Sequence, residues 1–372
     1  MLAWMRTFGD LERVGVESTG SYGAGLLRFL SKAGVEVLEV TTPDKADRRR
    51  RGKNDDLDAQ NAAHAAFSRK RTVTPRSRDG MVESLRVLKA CRKTAVAARR
   101  VALQMIHNTI VCAPESLRDA VRGMTRMQLV RTLAAWRPDL SAYRDVEAAY
   151  RISLKSLARR FIELHDEIGD LDAMIGAIVE ELAPALIARN SIGHIGAAQL
   201  LLTAGDNPER LRSEASFAAL CGVSPVPASS GKVVRHRLNR GGDRAANSAL
   251  HIIAIGRLRT DPKTKDYVAR RIAEGHSKLD AIRALNRYIA REVFTLIRAR
   301  QKEINQSRIV AWQTEGRPWA RSTENPAGSR DEAAELFRHR LLGHRPKPRA
   351  KANTENRRRN YNPFHGCLVF RR

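Results

Sequence analysis

Aromatic residues make up only 5% of this sequence, too few for the aromatic edge with which a basic protein lies down in a membrane interface. No apolar run approaches the length of a membrane span. The opening MLAWMRTFGDLERV carries Asp10 and Glu12 where a signal peptide would have its apolar stretch. These absences predict a cytoplasmic protein without a membrane partner. Cysteine is equally sparse: Cys91, Cys112, Cys221 and Cys367 stand far apart, with no C-x-x-C pair for zinc and no framework spacing for disulfides. They read as reduced, structural thiols. Acidic residues are in deficit as well, with 40 Asp and Glu against 67 Lys and Arg, and the resulting net charge of +27 is spread along the whole chain. Such a field selects a polyanionic partner, and nucleic acid is the first expectation.

What is present is enough hydrophobic material, 42% of 372 residues, for two or three domains with real cores. RVGVE at 13–17 reads as a β-branched strand, STGSYG as a glycine turn, and AGLLRFLSKAG as a helix with Leu26, Leu27, Phe29 and Leu30 on its apolar side and Gly34 as its stop. VEVLEV, with Val35, Val37 and Val40, is the next strand, so the strand–helix–strand order predicts a parallel pair with a right-handed crossover. TTPDKADRRRRGKN reads as a loop and DDLDAQNAAHAAF as a helix. From about Met81 to Glu181 the periodicity is helical, with Leu85, Leu88, Leu103, Ile106 and Ile110 and later Leu154, Leu157, Ile162 and Leu171. Long antiparallel helices, a spacer or dimerising arm, are the simplest reading. A third unit of short helices runs from about Ile187 to Ile297. Beyond Gln301, RPKPRAKANTENRRRN and its surroundings lose apolar periodicity, as a disordered basic tail does. There is no internal repeat.

Two groups of residues bear chemistry. Glu17 ends its strand, where open parallel sheets present functional groups, and Asp55 and Asp58 share one face at a helix start. Clustered carboxylates suit hard divalent cations such as Mg2+ that also hold phosphate; Asp at a helix start is equally ordinary capping chemistry. The adjoining Arg48, Arg49, Arg50, Arg51 and Lys53 are placed to grip a nucleic-acid backbone. The second group is SPVPASSGKVVRHRLNRGGDRAANSALH at 224–251. Here Ser229 and Ser230 precede Lys232, Arg235, Arg237 and Arg240, and Gly241–Gly242 opens a helix with Asp243 as cap and Arg244 in its first turn. Arginine forks and free helix amides suit phosphate. A basic loop more often grips phosphate than cuts it, and His236 reads as a proton acceptor or, between arginines, as a backbone contact. Leu250, Ile252, Ile253 and Ile255 are expected to pack that helix into the core.

VESTGSYG, RRRRGKNDDLDAQNAA and ALCGVSPVPASSGKVVRHRLNRGGDRAANSALH, in this order and spacing, resemble the DEDD-type transposases of bacterial insertion sequences, the family numbered one hundred and ten. The resemblance covers roughly residues 3–300. It implies an α/β plus all-α protein. Residues 1–110 would be a truncated acidic domain of RNase H fold, similar to Holliday-junction resolvases; 111–185 a helical coiled-coil arm; 186–300 a mainly helical transposase domain with an essential serine; and 301–372 the basic tail. Family members are recombinases that act on DNA with a structured non-coding RNA, the bridge RNA, and assemble so that the acidic domain of one subunit meets the serine domain of another. A homo-oligomer, dimer or tetramer, is therefore implied. In the family's acidic set Glu17 matches the glutamate and Asp55 and Asp58 the last two aspartates, as ligands of Mg2+, while Ser230, the serine before glycine, matches the nucleophile.

The family's first aspartate lies on an opening strand well ahead of its glutamate, whereas 16 residues precede Glu17 here. The opening strands of the sheet are thus expected to be missing. In SIGHIG at 191–196, His194 stands where a helix-hairpin-helix has glycine, and reads as a surface turn residue. Two further readings stand beside the recombinase: a nucleic-acid-binding remnant without chemistry, and a structure-specific nuclease using the carboxylates alone.

Overall fold

The computed structural model describes residues 1–17, 19–40, 55–70, 72–76, 80–205, 211, 213–229, 236–315 and 366–370. The chain divides into two compact units, Met1–Val73 with Glu303–Arg372, and Thr74–Lys302.

In the first unit a short helix α1 (Leu2–Arg6) leads into β1 (Leu11–Glu17), followed by α2 (Ala24–Lys32), β2 (Glu36–Val40), α3 (Asp55–Ser68) and β3 (Thr72–Val73). β1 and β2 pair in parallel, with Gly15 opposite Leu38 and Glu17 opposite Val40, as the strand–helix–strand pattern predicts. α2 ends where Gly34 adopts a φ of 78°, a conformation that only glycine enters without steric cost. Alternation along the strands sends Val14, Val16, Val35 and Val37 to one face, where they bury against Leu27 and Leu30. Phe29 is half exposed rather than part of that face.

The other face of the sheet receives α3. A Cβ at Gly15 would lie 2.8 Å from the Ala62 carbonyl oxygen and 3.1 Å from Ala66 Cβ, so the small residue lets helix and strand backbones approach. Leu38 buries against Ala66, and Arg69, just past the helix, pairs with Glu36 at 3.2 Å. Moving forward along α3 therefore moves backward along β2, and the helix N-terminus points toward the carboxyl ends of the strands.

The sheet order is β3-β2-β1-β6. Its last member, β6 (Gly366–Phe370), runs antiparallel to β1, with Val16 opposite Gly366 and Leu11 opposite Phe370. Gly366–Phe370, within the stretch beyond 301 that composition reads as a disordered tail, thus supplies an edge of the sheet. Five residues of strand are too short to stand out from a basic surrounding.

The second unit is helical. α4 (Gly80–Val111), α5 (Glu115–Ala120), α6 (Arg126–Ala135) and α7 (Val146–Leu182) form the arm. Arg92 meets Asp172, Arg99 meets His165 and the Tyr150 hydroxyl donates to the Cys112 carbonyl. Rising numbers on α4 match falling numbers on α7, so the pair is antiparallel. Ala102 and Ile106 of α4 bury against Leu154, Ala158 and Phe161 of α7, with Leu129, Val130 and Leu133 of α6 closing the cluster. The helical arm starts at Gly80, inside the span 1–110 that was assigned to the acidic domain.

Then come α8 (Pro184–Ile187), α9 (His194–Ala204), α10 (Glu214–Leu220), β4 (Val226–Pro227), β5 (His236–Arg237), α11 (Arg244–Thr260), α12 (Pro262–Ala273) and α13 (Lys278–Glu315). Their core joins Phe217, Leu250, Ile253, Ile289 and Val293 to Leu85 of α4 and Ile175 and Val179 of α7. Among the described residues no helix is long and apolar enough to cross a membrane.

Candidate nucleic-acid interface

In the second unit β4 and β5 pair antiparallel, Val226 opposite Arg237 and Pro227 opposite His236. They bracket residues 228–235, which hold both serines. Ser229 is exposed; Ser230, Lys232 and Arg235 lie outside the described residues. His236 and Arg237 are exposed on β5.

Downstream of β5 the chain folds back on a glycine-to-glycine contact. A Cβ at Gly242 would fall 2.3 Å from the Gly222 nitrogen and 2.4 Å from its Cα, and Gly222 has a φ of 70°. Gly242 has no room for a side chain there, and the positive φ of Gly222 strains any residue but glycine. Side-chain amides lock the crossing. Asn239 donates to the Ala219 carbonyl at 3.2 Å and accepts from the Gly241 amide at 2.9 Å. Asn247 donates to the carbonyls of Cys221 and Gly222, each at 3.2 Å.

Gly222, Leu238, Asn239, Arg240, Gly242, Arg244 and Asn247 line a cleft of about 320 Å³ at this crossing. Because both asparagines are committed to backbone groups, the arginines are left to meet a ligand. Arg237, Arg240 and Arg244 are exposed and form no ion pair among the described residues. Exposed guanidinium groups that no carboxylate engages among the described residues suit a phosphodiester.

The amides of the helix that starts here play a different part from the one its sequence implies. Asp243 caps α11, its Oδ1 accepting from the amides of Ala245 at 2.8 Å and Ala246 at 3.3 Å. Those donors are satisfied within the chain, which leaves Arg237, Arg240 and Arg244 as the groups that could meet an anion. Asp243 is itself held from behind: its Oδ2 accepts from Thr203 Oγ1 at 2.8 Å and Gln199 Nε2 at 3.2 Å. Lys89 Nζ donates to Gln199 Oε1 at 2.6 Å. Burial, followed by the neighbouring Arg92, lowers the Lys89 pKa from its ordinary value. Gln199 and Thr203 are one helical turn apart in a helix, HIGAAQLLLTA, that is otherwise apolar after its first residue, His194. That polar pair was a readable signal for a buried network; Lys89, 110 residues earlier, carried none.

On α11, Leu250 and Ile253 are buried, whereas Ile252 is 66% exposed and Ile255 36%. The expectation that all four belong to the core is corrected for these two, since they sit on the opposite side of the helix. His194 is not a surface turn residue as expected: it is the first residue of α9, half-buried, with its ring beside Gly176 and its Nε2 paired with Glu180 at 2.8 Å. Cys221, under the crossing, has its thiol pushed up to about 12 by burial and then by Asp243.

In the first unit Glu17 lies two residues beyond Gly15, so strand alternation puts it on the face that receives α3. Asp58 is one turn before Ala62 on the same stripe of α3, and the direction of that helix carries Asp58 toward the strand ends where Glu17 sits. Both residues are half-buried. Asp55 begins α3, but its side chain lies outside the described residues, as do Arg48, Arg49, Arg50, Arg51 and Lys53. Among the described residues no group of three or more His, Cys, Asp or Glu is gathered for a metal ion.

Residues 1–111 match a family described as "Transposase", of the DEDD, IS110 type, and residues 185–269 match the "Transposase IS116/IS110/IS902 family". Among curated proteins, the chain is 30% identical over 150 residues to the insertion element IS110 uncharacterized 43.6 kDa protein of Streptomyces coelicolor, covering 40% of this chain and 37% of the relative. It is also 30% identical over 145 residues to the insertion element IS900 uncharacterized 42 kDa protein of Mycobacterium paratuberculosis, covering 38% and 36%. The chain thus spans under two fifths of the length of either curated relative that it matches.

Proposed function

We propose that this chain, similar over two separate stretches to IS110-family transposases, is a transposase that cleaves and exchanges DNA strands for an insertion sequence. The observation that carries the reading is the cleft beside β5, where Arg240 and Arg244 have no carboxylate partner among the described residues, a few residues beyond the segment that holds Ser230.

A serine hydroxyl is a weak nucleophile at neutral pH, and attack on phosphorus needs charge stabilisation on the phosphoryl oxygens. Arg240 and Arg244, with Arg237, Lys232 and Arg235, provide it. The Ser230 hydroxyl gives up its proton as its oxygen bonds to phosphorus. The phosphodiester bond to one deoxyribose oxygen breaks, and that oxygen leaves as a hydroxyl carrying a proton. A second DNA hydroxyl then attacks the phosphoserine, restores Ser230 and completes the exchange. One phosphodiester is consumed and one formed, so the cycle needs no external energy source.

Glu17, Asp55 and Asp58 supply the oxygen donors that a Mg2+ ion takes, and such an ion, when bound, offsets phosphate charge. Glu17 and the first turns of α3 lie toward the same end of the sheet, which supports that assignment. Arg48, Arg49, Arg50, Arg51 and Lys53 flank this acidic set in sequence and would hold the strand. Target choice by a structured non-coding RNA, an RNase H-like first unit, and a dimer or tetramer built on the α4–α7 arm complete the reading.

The test is cleavage of the element's end DNA with Mg2+ and the element's own RNA. Ser230→Ala and Asp58→Asn should each abolish strand exchange while nucleic-acid binding persists. Cleavage that survives Ser230→Ala but not Asp58→Asn would identify a nuclease that uses carboxylates alone. Binding without cleavage by the unaltered chain would identify a remnant without chemistry.

A further inference from the structure

Away from the cleft, α12 and α13 present a second feature suited to nucleic acid. Between Arg257 and Arg300 the sequence carries twelve Lys or Arg and five Asp or Glu. On this basic background Tyr267 of α12 and Tyr288 of α13 meet edge to face, their centroids 5.9 Å apart and their planes at 87°. Arg270 stands over the Tyr267 ring at 5.6 Å and Arg291 over the Tyr288 ring at 5.8 Å. Tyr288 is 53% exposed, so its ring is open to a partner. Tyr267 is half-buried and packs on the helical core, which fixes the pair to a rigid support.

We propose that Tyr267, Tyr288, Arg270 and Arg291 form a stacking platform for an unpaired DNA strand. An exposed ring offers a face to any base, and a guanidinium plane beside it adds a cation–π surface and a charge for the backbone. Duplex bases are already stacked on one another and gain nothing from the ring, so the platform favours a single strand. Neighbouring carboxylates do not cancel the field: Glu214 is shared between Arg287 and Arg291, and Glu274 between Arg270 and Arg271, which leaves more cations than anions on the patch. The Tyr267 phenol is held neutral, its pKa raised by burial first and by Tyr288 second, so no phenolate repels phosphate. The choice of DNA rests on the proposed reaction, because cutting and rejoining one strand at a time leaves unpaired bases next to the serine-bearing unit. The stacking argument stands without it.

The experiment is fluorescence-anisotropy titration of the full chain with labelled oligothymidylate, oligouridylate and duplex DNA of equal length. Tyr288→Ala should weaken oligothymidylate binding by about 5- to 100-fold and change duplex binding by no more than about twofold. Tyr288→Phe, which keeps the ring, should bind as the parent does, and Arg291→Gln should lower the salt slope by about one. Equal losses on single strand and duplex, or no loss at all, would overturn the platform. A loss confined to oligouridylate would overturn the choice of DNA. The binding assay contains no cleavage step, so failure of this proposal is read separately from failure of the serine chemistry.

Discussion

Each of the two units of this chain is held together internally by a different kind of contact. The helical unit draws its core from many residues between Leu85 and Ile297, on helices that lie far apart in the chain. The α/β unit buries seven residues, from Met5 to Val37, in its main cluster and completes its sheet with a strand from the far end of the sequence. The helical unit can therefore lose one side chain at a steep but local cost. In the smaller unit the cost falls on a few close backbone approaches, and the acidic residues assigned to metal stand on those same elements.

Phe217→Ala tests the depth of the helical core most severely. The ring is fully buried and packs 6.0 Å from Phe294, so its removal should cost about 3–5 kcal/mol, measured by urea unfolding. A loss below about 1 kcal/mol would mean that the core is not continuous across these helices. Gly242→Ala should follow closely, at about 3 kcal/mol, because its Cβ would collide with the Gly222 backbone. It should also reduce nucleic-acid binding, since the same crossing holds the cleft open. Retained stability would contradict the glycine contact.

In the α/β unit Gly15→Ala should cost about 1–3 kcal/mol by pushing α3 off the strand, and Mg2+ affinity should fall with it if Glu17 and Asp58 act together. Stability lost without any change in metal response would break that link. Thr203→Val removes a hydroxyl that holds Asp243 and should cost about 1–2 kcal/mol, whereas Thr203→Ser should recover most of it. The smallest effect is chemical. At pH 8, Cys91 and Cys112, which are exposed, should react with a thiol reagent in the folded protein. Cys221 should stay silent until unfolding, because a thiol pushed up to about 12 holds almost no thiolate there. Native-state labelling of Cys221 would show that the crossing opens.

Local periodicity made the helices and the parallel β1–β2 pair legible, because each is decided by residues within one turn or one strand of each other. Asp243 as a cap was legible for the same reason. β6 was not, since strand pairing across most of the chain leaves no local mark and GCLVF is short. Nor was Lys89, whose partner Gln199 is set by how α4 and α9 pack. The exposure of Ile252 and Ile255 was missed because five apolar residues among the six of Leu250–Ile255 span more of a helix than one face can bury.

The most direct measurement is mass-spectrometric mapping of the covalent protein–DNA adduct formed with Mg2+ and the element's RNA. The account predicts a phosphoserine at Ser230, present in the parent and in Ser229→Ala and absent from Ser230→Ala. An adduct at Ser229 or any other residue, or one that persists in Ser230→Ala, would contradict it.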